Sequence, residues 1–287
     1  MLPLQILDRK PARIVMAISA VLISALACNI YGESESGDED TVISPPTASD
    51  TPVPDTTIEP TQAPDIYYEG ISFSYDESIA RHVNVETMPA VPEGEAPPWG
   101  VVPEHFQFSF IDYILADTFR EARILVYPVV EFEAINPLVV NDIAALATLL
   151  ETKPPAPAEN LPFLPMWNAG ALIQTNIEYL NFQNGSGVRY LSQHGQSHWP
   201  INNHDLFYTF QGLSSDGRYY VAAILPVSNP ALQDTGDEIP GGDYRAFGDT
   251  FLDYADDIKI LLMGQPNSSF LPDLSILDAL FQSIRVE

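Results

Sequence analysis

Two runs in the second half of the chain, 204–213 and 218–227, constrain the fold more than any other feature, because both carry apolar side chains on both faces. The large apolar residues of the first run alternate between its faces: Leu206, Tyr208 and Phe210 on one, Phe207 and Leu213 on the other. A strand that is apolar on both faces is usually covered on both faces. The pattern therefore predicts a sheet enclosed between helices and argues against an open β-sandwich.

A Gly-containing turn joins these two runs into a hairpin. Segment 214–217 reads Ser-Ser-Asp-Gly, and Asp-Gly between strand patterns indicates a type I′ turn, whose two central residues both need positive φ. We therefore expect Asp216 and Gly217 at the tip of the hairpin. In the corresponding register, Gln211 faces Ala222 across the two strands.

Further strand patterns occur on both sides of a Pro-rich loop at 88–103. Alternating or continuous apolar runs predict strands at 71–75, 106–110, 122–129, 176–182 and 187–194, with the last two joined by the turn 183–186. Helical spacing of apolar residues predicts helices at 137–152, at 243–263 and from about 272 onwards. We therefore predict an α+β fold with a mainly antiparallel central sheet covered by helices, resembling an α/β/α sandwich.

The N-terminus has the pattern of a bacterial export signal. A basic flank precedes the apolar stretch 14–27, which has 14 residues, whereas a membrane-spanning helix needs about 20. The sequence Ala25-Leu26-Ala27-Cys28 resembles the lipobox of bacterial lipoproteins. That resemblance implies cleavage after residue 27 and attachment of fatty acyl groups such as palmitate to Cys28. Ordinary cleavage with a spare thiol and an uncleaved anchor are the alternatives.

Composition divides the rest of the chain into two parts. Residues 28–66 are acidic, rich in Thr and Pro and free of basic residues, which is typical of a disordered tether. Apolar residues become frequent from Tyr67, so 67–287 is predicted to form one globular domain. Together with the leader, this organisation predicts a lipid-anchored protein on the extracytoplasmic side of the cell membrane.

Charge and cysteine content exclude several classes of function. With 12 basic and 39 acidic residues the chain has a net charge of −27, which repels nucleic acid and anionic lipids. Cations, cationic polymers and neutral ligands remain compatible with such a surface. Because Cys28 is the only cysteine, the chain has no intramolecular disulfide and no cysteine-based metal site.

Three histidines between two predicted strands form a candidate metal site. His194, His198 and His204 lie within eleven positions, and imidazoles are common ligands of zinc and copper. Pro200 excludes a continuous helix through this segment, and Asp205 is the carboxylate closest in sequence. The alternative is a set of exposed loop histidines with one packed member.

An acidic loop before the helix at 243–263 is a candidate calcium site. Its carboxylates are Asp234, Asp237, Glu238 and Asp243, interspersed with glycines. Calcium binds six to eight oxygen ligands from a loop that can surround it, although this loop lacks the EF-hand spacing. The alternative is a solvated loop whose last residue caps the helix.

Aromatic residues in Pro-flanked loops are candidates for ligand contacts. Of the three tryptophans, Trp99 and Trp199 are the ones expected to be exposed, and Asn202 lies near the second. Exposed indoles stack on sugars or peptides, whereas most aromatic residues at this density belong to the core.

Several segments carry a resemblance to known families. An early strand ending in Ser74-Tyr75, a central run of antiparallel strands and a final helix at 277–285 resemble the layout of PsbP/Mog1-like α/β/α sandwiches. Segments 184–190, 207–213 and 216–221 resemble uncharacterised lipoproteins of green non-sulfur bacteria. The first resemblance implies a scaffold or binding role, the second implies no particular activity, and neither implies catalytic residues.

The leading hypothesis is a membrane-tethered lipoprotein with a non-catalytic domain that binds an envelope protein, a glycan or a small ligand. The sequence has no Gly-x-Ser-x-Gly motif and no phosphate-binding glycine loop, and we expect no cofactor apart from the calcium or zinc of these candidate sites. Two alternatives remain. One is a secreted hydrolase with a metal site in the 194–204 loop, and the other is a calcium-stabilised glycan-binding module.

Overall fold

The computed structural model describes residues 65–155 and 160–287. The predicted signal peptide, Cys28 and all but the last two residues of the predicted tether lie outside this part of the chain. The strands are β1 (Ile66–Tyr68), β2 (Ile71–Phe73), β3 (His82–Met88), β4 (His105–Ile111), β5 (Arg123–Pro128), β6 (Gly170–Phe182), β7 (Gly185–Gly195), β8 (Phe207–Ser214), β9 (Tyr219–Pro226) and β10 (Arg285–Val286). The α-helices are α1 (Val129–Ile135), α2 (Val139–Thr152), α3 (Tyr244–Met263) and α4 (Leu274–Ser283).

Seven strands form the central sheet in the order β3-β4-β5-β9-β8-β7-β6, and every neighbouring pair is antiparallel. A small second sheet pairs β2 with β1 on one side and with β10 on the other. The predicted α+β class with a mainly antiparallel central sheet is therefore confirmed.

Apolar clusters cover both faces of this sheet. On one face, helices α1 and α2 pack Phe132 and Leu146 against Tyr190 and Tyr220 of the sheet. On the other, α4, the small sheet and the end of α3 pack against the alternate side chains, including Tyr208. The apolar character of both strand faces thus has the expected cause, which is burial between two layers.

The hairpin β8–β9 has the predicted register, but its turn is of a different type. Gln211 pairs with Ala222 as expected. Gly217 has φ of 71°, whereas Asp216 is not among the residues with positive φ, so the turn is not type I′. The Asp216 carboxylate instead accepts hydrogen bonds from the hydroxyl of Ser214 at 2.7 Å and the backbone N–H of Arg218 at 3.0 Å. The bond from the Arg218 N–H forms an Asx-turn, in which the side chain of Asp216 stabilises the reversal of the chain in place of a type I′ backbone turn.

Three short or exposed strands and one helix were not predicted. Strand β3 is an edge strand in which no residue is fully buried, so its apolar alternation is weak. The predicted helix at 137–152 starts at Val139, and the separate helix α1 directly precedes it. Among the described residues, no helix has both the length and the apolar character needed to cross a bilayer.

Candidate functional site

An aromatic groove of about 390 Å³ opens beside the face of the sheet that α1 and α2 cover. Four parts of the fold line it: the 3-10 turn at 98–100, the start of α2, the loop 160–169, and the adjoining residues of β6 and β7. The groove brings together Trp99, Trp167, Asp142 and His194, which lie far apart in the sequence. We refer to it below as the tryptophan groove.

The buried side chain of Asn136 holds the wall that carries Trp99. Its amide nitrogen donates hydrogen bonds to the carbonyl oxygens of Pro98 at 2.9 Å and Val101 at 3.0 Å. Its amide oxygen accepts a bond from the backbone N–H of Leu138 at 3.2 Å. One side chain thus ties the tryptophan-bearing turn to the start of α2.

Two glutamine side chains hold the opposite part of the lining, the loop 160–169. Gln174 accepts a hydrogen bond from the backbone N–H of Leu161 at 2.9 Å and donates to its carbonyl at 3.4 Å. Gln211 makes the same pair of contacts with Leu164, at 2.9 Å and 3.2 Å. Each glutamine replaces a strand partner for this loop, so the loop is fixed to the sheet without belonging to it.

Trp167 is positioned by a cation and by aromatic edges. The guanidinium carbon of Arg120 lies 3.6 Å from the centroid of the indole ring, within the range of a cation–π contact. Phe163 and His194 approach the indole edge-to-face with centroid distances of 4.7 Å and 5.0 Å. Within ranges 65–155 and 160–287, neither the Trp167 nor the Trp99 indole N–H has a hydrogen-bond partner in the protein.

His194 lies beneath the groove as a neutral imidazole. Both ring nitrogens are buried and neither has a hydrogen-bond partner among the described residues. The rings of Phe163 and Phe207 lie with their centroids 4.5 Å and 5.6 Å from that of His194. Burial, with a smaller contribution from the charge of Arg120, lowers the pKa of His194 to about 4. The ring is therefore uncharged at neutral pH.

Asp142, on the first turn of α2, is the only charged side chain among the described lining residues of the groove. Its carboxylate is half-buried, and burial raises its pKa above the ordinary value. In the part of the chain that the structure covers, no residue forms an ion pair or a side-chain hydrogen bond with it. A carboxylate without a partner, set among aromatic rings, has the chemistry to attract a cation or a hydrogen-bond donor.

The three histidines of the predicted metal site have separate partners. His194 belongs to the aromatic cluster, and His198 stacks on Phe251 at a centroid distance of 4.4 Å. The Nδ1 atom of His204 lies 2.9 Å from the carboxylate of Asp205. Over the described ranges, no three His, Cys, Asp or Glu side chains converge as a metal site would require.

The carboxylates of the predicted calcium site are all exposed: Asp234, Asp237, Glu238 and Asp243. Asp243 caps helix α3, since its side chain accepts hydrogen bonds from the backbone N–H groups of Arg245 at 2.9 Å and Ala246 at 3.2 Å. Asp237 accepts a bond from the hydroxyl of Thr235 at 2.8 Å. This arrangement corresponds to the capping role that the sequence left open beside calcium binding.

The other aromatic and amide candidates lie in different surroundings. Trp199 does not line the groove and packs so closely against Gly236 that a Cβ would have no room there. Asn202 is fully buried, and its amide nitrogen donates to Asp205 and to the carbonyl of Pro200, each at 2.9 Å. The groove therefore joins Trp99 to Trp167. Trp167, like Trp99 and Trp199, has a proline close to it in the sequence, at position 165. That proline is the signal that could have identified Trp167 as a loop residue.

Comparison of the chain with protein-family models, curated proteins and solved structures finds no match. The chemistry of the groove is therefore what bears on function.

Proposed function

We propose that this chain is an extracytoplasmic lipoprotein, anchored in the cell membrane through acylated Cys28, whose α+β domain is a non-catalytic binding module. In this proposal the tryptophan groove is the ligand site, and the acidic, Pro-rich segment 28–66 is the tether that carries it. The lipobox-like sequence at 25–28 supports the anchor. The resemblance to PsbP/Mog1-like sandwiches supports a binding role for the domain.

The observation that carries the binding proposal is the positioning of two tryptophans by buried amides. Asn136 fixes the turn that holds Trp99, and Gln174 and Gln211 fix the loop 160–169, which carries Trp167. A site whose walls are already ordered loses less conformational entropy when a ligand binds. Ligand pockets are typically apolar and aromatic, with a few placed polar groups and volumes of about 300–1,000 Å³. The groove fits this description.

The ionisable groups of the groove favour binding over catalysis. General acid–base chemistry needs a titrating group within hydrogen-bond reach of the substrate. His194 has both nitrogens covered by its neighbours, and apart from His194 the described lining residues offer Asp142 no second acid, base or nucleophile. A binding module needs neither a titrating group within reach of the ligand nor a second catalytic residue.

The anchor is tested by growing cells with a fatty-acid analogue and recovering the protein. We expect the analogue in the parent protein and none in Cys28→Ala, because Cys28 provides the only thiol. Equal labelling of the two proteins would reject acylation at this residue.

The groove is tested by tryptophan fluorescence of the purified full-length protein against neutral saccharides and small ammonium compounds. We expect at least one class to perturb the emission saturably in the parent and in Trp199→Phe, but not in Trp99→Ala. Trp199→Phe is the matched control because Trp199 does not line the groove. A response that survives Trp99→Ala would place the ligand elsewhere.

A further inference from the structure

The tryptophan groove combines three features that together select one class of ligand: an unpaired carboxylate, one accessible indole face and a strongly negative chain. We infer that the ligand carries a small organic ammonium group, held between Asp142 and the ring of Trp99. This inference rests on the proposed function, because it names the chemistry of the same site.

The carboxylate is the first step. Asp142 is half-buried beside aromatic and aliphatic side chains, and no described Lys or Arg side chain lines the groove with it. Transfer of a charged group out of water is unfavourable unless an opposite charge or hydrogen bonds accompany it. A bound cation supplies that opposite charge, whereas a neutral ligand compensates only through hydrogen bonds.

The indole rings are the second step. Trp is the side chain that best attracts a cation to its face, and aromatic residues grouped around one site are a known means of recognising quaternary ammonium ions. Trp99 is 41 % exposed, and within the described residues no Lys or Arg lies over its ring. Trp167 already holds Arg120 on its ring. Trp99 is therefore the ring open to an external cation.

Charge and size are the third step. A net charge of −27 raises the local concentration of cations around the chain and speeds their encounter with it. The positive charge of Arg120 opposes a second cation at Trp167, which places the ammonium group nearer to Trp99 and Asp142. The volume of about 390 Å³ accommodates a trimethylammonium group with a short chain.

The test uses the full-length protein with two probes of the same shape, choline and its uncharged analogue 3,3-dimethylbutan-1-ol. Calorimetric titration should show choline binding at least about tenfold more tightly than the analogue. Asp142→Asn should weaken choline binding by about tenfold or more and leave the analogue unchanged. Glu151→Gln is the matched control, because Glu151 is an exposed carboxylate on the same helix.

The outcomes separate the two proposals. Equal binding of choline and its analogue, lost in Trp99→Ala, would overturn the ammonium inference and leave the groove as a site for neutral ligands. Binding of saccharides without binding of choline or its analogue would also overturn the ammonium inference and leave the groove as a site for neutral ligands. If neither probes nor saccharides bind, the proposed function of the groove fails together with the inference. The comparison of probes on the unmodified protein is independent of how the variants fold.

Discussion

Replacement of His194 by leucine should remove a large part of the acid sensitivity of the folded domain. In the folded chain the pKa of His194 is lowered to about 4, whereas the ordinary value is 6.5. As the pH falls between these values, the unfolded chain takes up a proton at this residue and the folded chain does not. The free energy of unfolding therefore falls with pH in this window, and His194 has no such effect at higher pH.

The size of the effect follows from the two pKa values. One pH unit of difference corresponds to about 1.4 kcal/mol, so the complete loss is about 3 kcal/mol, of which about 2.5 kcal/mol is reached near pH 4.5. Burial also lowers the pKa of His105, which adds acid sensitivity of the same sign. That contribution is present in parent and variant alike and cancels in the comparison.

Urea denaturation followed by circular dichroism, at about pH 7.5 and about pH 4.5, measures the difference. Between these conditions His194→Leu should lose about 2.5 kcal/mol less than the parent. His82→Gln, at an exposed histidine of the edge strand β3, should follow the parent. Near pH 7.5 the leucine variant should be as stable as the parent or more stable, because two unpaired buried nitrogens disappear. Equal acid losses in parent and leucine variant would refute a buried neutral imidazole.

Two further substitutions test the packing and the groove. Asp278→Asn should lower the free energy of unfolding by about 1–3 kcal/mol, because the buried guanidinium of Arg189 loses one of its two carboxylate partners and keeps the other, Glu178, at 2.6 Å. In urea denaturation, Asp112→Asn, in an exposed ion pair, should change it by less than about 1 kcal/mol, and similar losses in both would contradict this account. Asn136→Ala should cost about 1–3 kcal/mol and release the turn that carries Trp99. Acrylamide should then quench the tryptophan fluorescence more strongly, and unchanged quenching would show that the turn is held by other contacts.

The sequence was sufficient to predict those structural elements that depend on residues close together in the chain. The register of Gln211 opposite Ala222 follows from the length of the turn, and the start of α3 follows from Asp243, whose carboxylate caps it. Strand β3 could not be predicted in the same way, because an edge strand buries little on either face. The prediction of a type I′ turn at Asp216 was wrong, because hydrogen bonds of the Asp216 side chain stabilise a different turn.

The groove depends on long-range contacts, which explains why only part of it was predicted. Trp99 was recognised as an exposed aromatic residue, but its neighbour in space is Trp167, 68 positions away, and not Trp199. Asp142 is one of 39 acidic residues, and nothing near it in the sequence distinguishes it from the others. Its half-burial and its lack of a partner arise only when α2 packs beside the loop 160–169.

The walls of the groove are held by hydrogen bonds of side-chain amides, and this determines how the site responds to pH and salt. Asn136, Gln174 and Gln211 carry no charge, so acid does not protonate them and dissolved ions do not screen their hydrogen bonds. The shape of the tryptophan groove should therefore not change with salt concentration. The electrostatic attraction of the Asp142 carboxylate for a cation, in contrast, weakens as salt concentration rises. A rise in salt concentration would therefore release a bound cation from the groove without any movement of the backbone.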